Sequence, residues 1–75
     1  MSNKMSDGDR SFLKLVERSC IKQNREEGWA RVSVQLRRMV QSGIGSNPDL
    51  YDSKVEDGTL FVRLSEKGKI VAEYV

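Results

Sequence analysis

The chain has 75 residues, of which 32% are charged and 37% hydrophobic, a composition typical of one small soluble domain with a modest core. No apolar run approaches the roughly 20 residues of a membrane-spanning helix, so a membrane protein is not expected. The single cysteine, Cys20, cannot form an internal disulfide, and the cytoplasm is the expected location.

The charges are unevenly distributed along the chain. The net charge of +2 is too small to indicate a nucleic-acid partner by itself. From Arg10 to Ser42, however, eight lysines and arginines stand against three acids, whereas from Gly43 onward four stand against six. This asymmetry indicates a face suited to a polyanion, with ordinary fluctuation over two short segments as the alternative.

The N-terminal part predicts a disordered lead-in followed by a helix. Residues 1–9 are polar and have no hydrophobic region of a secretory signal, and residues 10–75 are expected to form a single domain. Ser11 to Gln23 shows helical spacing of Phe12, Leu15, Val16, Ser19 and Cys20. Asp9 or Ser11 is the expected N-cap, and Cys20 is expected to be mostly buried and unreactive.

A break and a single tryptophan follow this helix. The polar segment Asn24 to Gly28 ends in glycine and predicts an interruption or a short, poorly formed helix. Trp29 is expected to be a buried core anchor between elements, and a platform that stacks on a ligand is the alternative.

The segment from Val32 to Ser42 predicts a second helix. Its apolar residues share one helical stripe, and Gly43 stands where a helix can end. Residues 29–36 also alternate between apolar and polar side chains, so a strand over that range is the alternative. The helix explains more of the apolar residues, which are Val32, Leu36, Met39 and Val40.

The last third of the chain predicts a connector, a β-hairpin and a closing helix. Gly43 to Leu50 is the connector. Asp57-Gly58 suits a type I′ turn, in which both central residues need positive φ, between strands at residues 51–56 and 59–64. The expected pairs on the apolar face are Tyr51 with Leu64, Ser53 with Val62 and Val55 with Leu60; those on the other face are Asp52 with Arg63, Lys54 with Phe61 and Glu56 with Thr59. Ser65 is expected to cap a closing helix bearing Ile70, Val71 and Tyr74 on one side.

The junction after the hairpin, Leu64-Ser65-Glu66-Lys67-Gly68, resembles the string found in winged helix-turn-helix DNA-binding domains. The resemblance covers about Arg31 to Val75 and extends to the small residue and glycine at Ser42-Gly43. It implies an α+β fold: a small winged-helix-like domain of two to three helices, a C-terminal β-hairpin and a short closing helix. It departs from the family in residues 22–30, which are short and glycine-broken for a positioning helix, and in an acidic wing tip.

In this family the helix before the hairpin reads DNA. The polar side of the predicted helix groups arginines, a glutamine and a small apolar residue, the side chains that contact guanine, adenine and the thymine methyl group in the major groove. These candidate residues are Arg31, Val34, Arg37, Arg38 and Gln41, with Lys22 and Arg25 facing phosphates. The expected function is a small transcriptional regulator that binds double-stranded DNA, and the expected assembly is a homodimer that reads two half-sites.

The alternative is a protein-binding winged helix, for instance a phage-type or accessory protein that modulates a host enzyme. Its contact surface would be the acidic wing with an exposed aromatic ring, formed by Glu56, Asp57 and Phe61. An enzyme is not expected, because the chain has no histidine, no glycine-rich phosphate loop and no paired carboxylates or metal-ligand spacing. Neither a cofactor nor a metal is expected.

Overall fold

The computed structural model describes residues 5–75 as three α-helices and a three-stranded antiparallel sheet. This confirms the expected α+β class, with one strand more than the predicted hairpin. The elements are α1 (Asp7–Gln23), β1 (Ala30–Val32), α2 (Arg37–Ser46), β2 (Tyr51–Glu56), β3 (Thr59–Leu64) and α3 (Glu66–Tyr74). Three short 3-10 turns lie at Glu26–Gly28, Val34–Leu36 and Pro48–Leu50. None of the helices in the described range is long and apolar enough to cross a membrane.

Helix α1 begins earlier than the sequence predicted. Its N-cap is Ser6, whose hydroxyl oxygen accepts the amide proton of Asp9 at 3.1 Å, and not Asp9 or Ser11. Residues 7–9 are therefore helical and not part of a lead-in, while residues 1–4 of that expected lead-in lie outside the described range. The helix ends at Asn24, which has φ of 48° and donates its amide proton to the Cys20 carbonyl at 3.0 Å.

The hairpin of β2 and β3 confirms the predicted turn and register. Asp57 and Gly58 have φ of 52° and 76°, as a type I′ turn requires. All six predicted pairs are present, from Tyr51 opposite Leu64 to Glu56 opposite Thr59. The predicted apolar face is buried apart from the edge residue Ser53 and Val55, which is 53% exposed near the turn.

The prediction of a helix from Val32 was wrong for the first part of that segment. Residues 30–32 instead form β1, in which the side chains of Ala30 and Val32 enter the core beside β3. The sheet order is β1-β3-β2, so β3 is central. The strand that the alternation of apolar and polar residues indicated is therefore correct for residues 30–32, because Ala30 and Val32 each lie opposite an apolar residue of β3.

Gly43 does not end the second helix, as the sequence had suggested. Helix α2 continues through it to Ser46, and residues 43–46 of the predicted connector are helical. A β-carbon at Gly43 would lie 2.6 Å from the ring of Phe12. The glycine therefore allows close packing of α2 against α1. The Phe12 ring then packs edge-to-face with the Tyr51 ring, with 5.2 Å between the ring centroids.

The helices cover one face of the sheet, and their buried side chains form one core. Its members come from every helix and strand: Leu13, Val16, Ala30, Val32, Val40, Leu50, Tyr51, Leu60, Val62, Leu64 and Ala72. Cys20 is half-buried at the core margin, where its thiol donates to the Val62 carbonyl at 3.8 Å. Trp29 is not part of this core, so its predicted role as a core anchor was wrong.

The closing helix α3 has the predicted cap but a different buried side. The Ser65 hydroxyl oxygen accepts the amide proton of Gly68 at 3.0 Å. Gly68 and Ala72 are the buried positions, and Val71 packs partly buried against the core, whereas Ile70 and Tyr74 are exposed, Tyr74 at 82%. The small residues face inward because α3 lies directly against the backbone of Leu50.

Candidate nucleic-acid interface

The cations between residues 18 and 38 form no ion pair within the described residues, and neither does Lys69 on α3, whereas the remaining described cations do. Within residues 5–75, none of the six pairs with a carboxylate; they are Arg18, Lys22, Arg25, Arg31, Arg37 and Arg38. By contrast, five cations elsewhere do form ion pairs: Arg10, Lys14, Lys54, Arg63 and Lys67. The unpaired set is therefore available to an external polyanion.

The end of α1 is fixed to β1 by a side-chain amide. The oxygen of the Gln23 side chain accepts the amide proton of Arg31 at 2.8 Å, and its nitrogen donates to the Arg31 carbonyl at 3.2 Å. This pair of hydrogen bonds holds the exposed Lys22 and Arg31 on two adjoining elements. Arg31 is thus a strand residue, and not a member of the recognition helix as the sequence had suggested.

The start of α2 presents a polar stripe to solvent. Val34 lies in the 3-10 turn that runs directly into α2, and Arg38 and Gln41 follow at helical spacing. All three side chains are exposed, Val34 at 87%. The structure therefore brings together three of the predicted base-reading residues on one surface.

Arg37 occupies a different position from its neighbour Arg38. Its guanidinium donates to the Gly58 carbonyl at 3.0 Å, and the residue is half-buried. This bond ties the first residue of α2 to the hairpin turn. Arg37 thus positions the turn, with the exposed Glu56 and Asp57 beside it, and is less free than Arg38 to reach a partner.

The outer face of the sheet holds an aromatic and cationic cluster that the sequence interpretation missed. The Arg25 guanidinium lies 5.1 Å from the centroid of the Phe61 ring, and Lys54 Nζ lies 5.7 Å from it. Lys54 and Arg63 lie 4.6 Å and 4.3 Å from the Trp29 ring. The hairpin register predicted that Lys54 lies opposite Phe61. The position of Trp29 depends on a loop that the sequence pattern does not specify.

This cluster removes Phe61 from the surface. Phe61 is 8% exposed, so its expected role as an exposed protein contact was wrong. The physical reason is that Arg25 and Lys54 cover the ring with their side chains, an arrangement favoured by the negative potential of an aromatic face. Of the alternative contact set, only Glu56 and Asp57 are exposed.

Residues 22–30, which the sequence indicated were too short and glycine-broken for a positioning helix, do not form one before α2. The predicted region at residues 22–30 contains the end of α1, a 3-10 turn at Glu26–Gly28 and the start of β1. Glu27 adopts a left-handed backbone conformation, with φ of 62°, which interrupts any right-handed helix there. The winged-helix resemblance thus stays a prediction.

The Cys20 thiol lies half-buried at the margin of the core. Burial raises the pKa of the Cys20 thiol, which makes it a poorer nucleophile. Across residues 5–75, no group of three or more acidic or cysteine side chains converges as metal ligands would. Comparisons with protein families, curated proteins and solved structures find nothing similar to this chain.

Proposed function

We propose that this domain binds double-stranded DNA as a small transcriptional regulator, with the start of α2 directed into the major groove. The observation that supports the proposal is the run of cations without carboxylate partners from Arg18 to Arg38. Desolvating an ion pair to reach phosphate costs energy, so unpaired cations are the ones that DNA can recruit most readily.

The exposed stripe of α2 supplies base contacts under this proposal. Arg38 suits the O6 and N7 acceptors of guanine, and Gln41 suits adenine. Val34 is an apolar side chain left almost fully in water, and contact with a thymine methyl group gives it an apolar partner. Arg37 fixes the hairpin turn relative to α2, which sets the angle between the helix and the wing.

Phosphate contacts come from the neighbouring elements. Lys22 at the end of α1, Arg25 after it and Arg31 on β1 carry exposed positive charge. Three to four phosphate contacts give a slope of roughly −3 to −4 for the logarithm of affinity against the logarithm of salt concentration. The exposed acidic residues of the turn, Glu56 and Asp57, oppose this binding because their carboxylates repel phosphates.

The experiment is a titration of a fluorescently labelled, mixed-sequence duplex with the domain, between about 50 mM and about 200 mM salt. The test variant is Arg31→Ala with Arg38→Ala. The control is Arg10→Ala with Lys67→Ala, which removes the same charge from two exposed cations that are already paired with Asp7 and Asp49.

The test variant is expected to lose about 1–3 kcal/mol of binding free energy for each contact removed, and its salt slope should become shallower by roughly one to two. The control should keep nearly the affinity of the unchanged chain. Equal losses in both variants, or no binding even at the lowest salt concentration, would show that this surface is not a DNA interface.

A further inference from the structure

The two edges of the sheet are unlike each other. At the β1 edge, the Gln23 amide occupies both backbone groups of Arg31, and the strand is only three residues long. At the other edge, β2 is six residues long, with Ser53 and Val55 exposed. An open edge of this kind presents backbone donors and acceptors to any strand that approaches it.

The hydrogen-bonding alternation identifies which groups of β2 point outward. Arg31 directs its N–H and C=O away from β3, toward Gln23, so its opposite residue Phe61 directs its own groups toward β2. Phe61 is therefore bonded to Lys54, and the neighbouring residues of β2 point the other way. Those outward residues are Tyr51, Ser53 and Val55, whose backbone groups have no partner within residues 5–75.

We propose that this edge binds the β2 strand of a second copy of the chain, giving a six-stranded antiparallel sheet. The register that the charges favour is centred on Ser53, which faces Ser53 of the second copy. In that register Asp52 lies opposite Lys54 of the second copy, and the symmetry axis repeats the pair. Both opposite-charge pairs lie on the outer face of the sheet, where such pairs stabilise adjoining strands.

The neighbouring registers are opposed by the same charges. In a symmetric antiparallel pair the two-fold axis passes beside one residue of each strand, and each alternative register shifts that central residue by one position. A centre at Lys54 places the two copies of Lys54 opposite each other, and a centre at Asp52 does the same for Asp52. A centre at Val55 restores opposite charges with Glu56, but it leaves Tyr51 beyond the paired strand. The register centred on Ser53 pairs residues 51–55 of both copies.

The existing contacts extend this pattern across the edge. Asp52 already accepts a hydrogen bond from Arg63 at 3.1 Å, so a lysine on its other side continues an alternating row of charges. Lys54 similarly lies 3.2 Å from Glu56 on its own strand. The joined edge therefore introduces no uncompensated charge at its centre.

The association is tested by charge exchange, measured by sedimentation equilibrium without DNA, so its failure is distinguishable from failure of nucleic-acid binding. Lys54→Glu alone places acids opposite Asp52, and Asp52→Lys alone places lysines opposite Lys54. Each variant by itself is expected to raise the dimer dissociation constant about tenfold or more. A mixture of the two variants has opposite charges at both pairs and should recover association.

The mixture separates association from folding, because each chain carries the same substitution in the mixture as it does alone. A mixed sample that stays monomeric overturns the proposal. So does an unchanged chain that sediments with its monomer mass of 8.5 kDa at all concentrations up to the millimolar range.

The register is tested by disulfide crosslinking in a Cys20→Ser background. Ser53→Cys places two thiols in a directly opposed pair with α-carbons about 5.5 Å apart, within the range that a disulfide spans. Val55→Cys places its thiols four residues apart along the strands, at roughly 14 Å. We expect rapid crosslinking of the first variant and little of the second. Preferential crosslinking through position 55 overturns the register centred on Ser53.

Discussion

Replacing Gly68 by alanine tests how the closing helix α3 packs against the rest of the domain. Gly68 is buried in the first turn of α3, and a β-carbon there would overlap the carbonyl oxygen of Leu50 and lie 3.0 Å from its carbonyl carbon. That oxygen accepts the amide proton of Ser65 at 2.9 Å. Because the obstacle is backbone, it cannot rotate away as a side chain can, and α3 itself must move.

Two opposing contributions set the size of the effect. Alanine is favoured over glycine within a helix by about 1 kcal/mol. Overpacking of a close contact costs about 1–3 kcal/mol, and more when the backbone has to shift. We therefore expect Gly68→Ala to lower the free energy of unfolding by about 2 kcal/mol, which corresponds to a Tm lower by roughly 8–16 °C in a domain of this size.

The matched control is Gly45→Ala on α2. Gly45 is exposed, and a β-carbon there meets no atom within 4 Å, so alanine should stabilise the domain by up to about 1 kcal/mol. Both variants are measured by urea denaturation followed by far-ultraviolet circular dichroism. If Gly68→Ala proves as stable as the unchanged chain, α3 does not rest on Leu50 in the way described.

Three other predictions concern single groups. Burial raises the pKa of Tyr51 from 10.0 to about 12, which disfavours tyrosinate in the folded state. In a Cys20→Ser background, which removes the thiol whose pKa is also raised, the Tyr51 contribution to stability should be complete below pH 10 and be lost as the pH rises from about 10 toward 12, and Tyr51→Phe should make the fall in urea midpoints shallower. Because burial also raises the pKa of Cys20, an aromatic disulfide reagent should modify it more slowly in the folded chain than in urea, and equal rates would contradict its placement. Glu56→Ser with Asp57→Asn should leave DNA affinity unchanged or raise it, since two repelling charges are lost; a weakened complex, measured by fluorescence anisotropy, would contradict the proposed role of the wing.

The hairpin was predictable because its signals are local. The turn residues Asp57 and Gly58 fix the loop, and a single register then sorts the side chains of both strands. The cap of α3 was predictable for the same reason, since Ser65 and its bonding partner Gly68 are three residues apart.

The errors occurred where distant contacts decide the structure. Residues 30–32 carry both a helical and a strand pattern, and the choice depends on β3, which lies about thirty residues further along the chain. Gly43 has the sequence of a helix end, but its function is to admit the Phe12 ring from another helix. No pattern within α2 contains that information.

The candidate site was predictable in composition but not in arrangement. The basic character of residues 18–38 is visible in the sequence, and Val34, Arg38 and Gln41 do share an exposed surface. The separation of Arg31 onto a strand follows from β1, which the sequence offered only as the alternative to a helix. The bond from Arg37 to Gly58 joins residues that are 21 positions apart, and no local pattern indicates it. Likewise, cations from β2, β3 and the loop after α1 lie over the outer aromatic rings, so a count of aromatic residues from sequence overestimates the exposed aromatic surface.

The amide of Gln23 has a consequence for the size that assemblies of this chain can reach. Because it occupies the N–H and C=O of Arg31, the β1 edge of the sheet is blocked, and only the β2 edge can accept another strand. Strand-by-strand polymerisation needs two growing sides on every subunit. We therefore expect the proposed β2–β2 sheet to stop at two subunits and not to grow into a fibre.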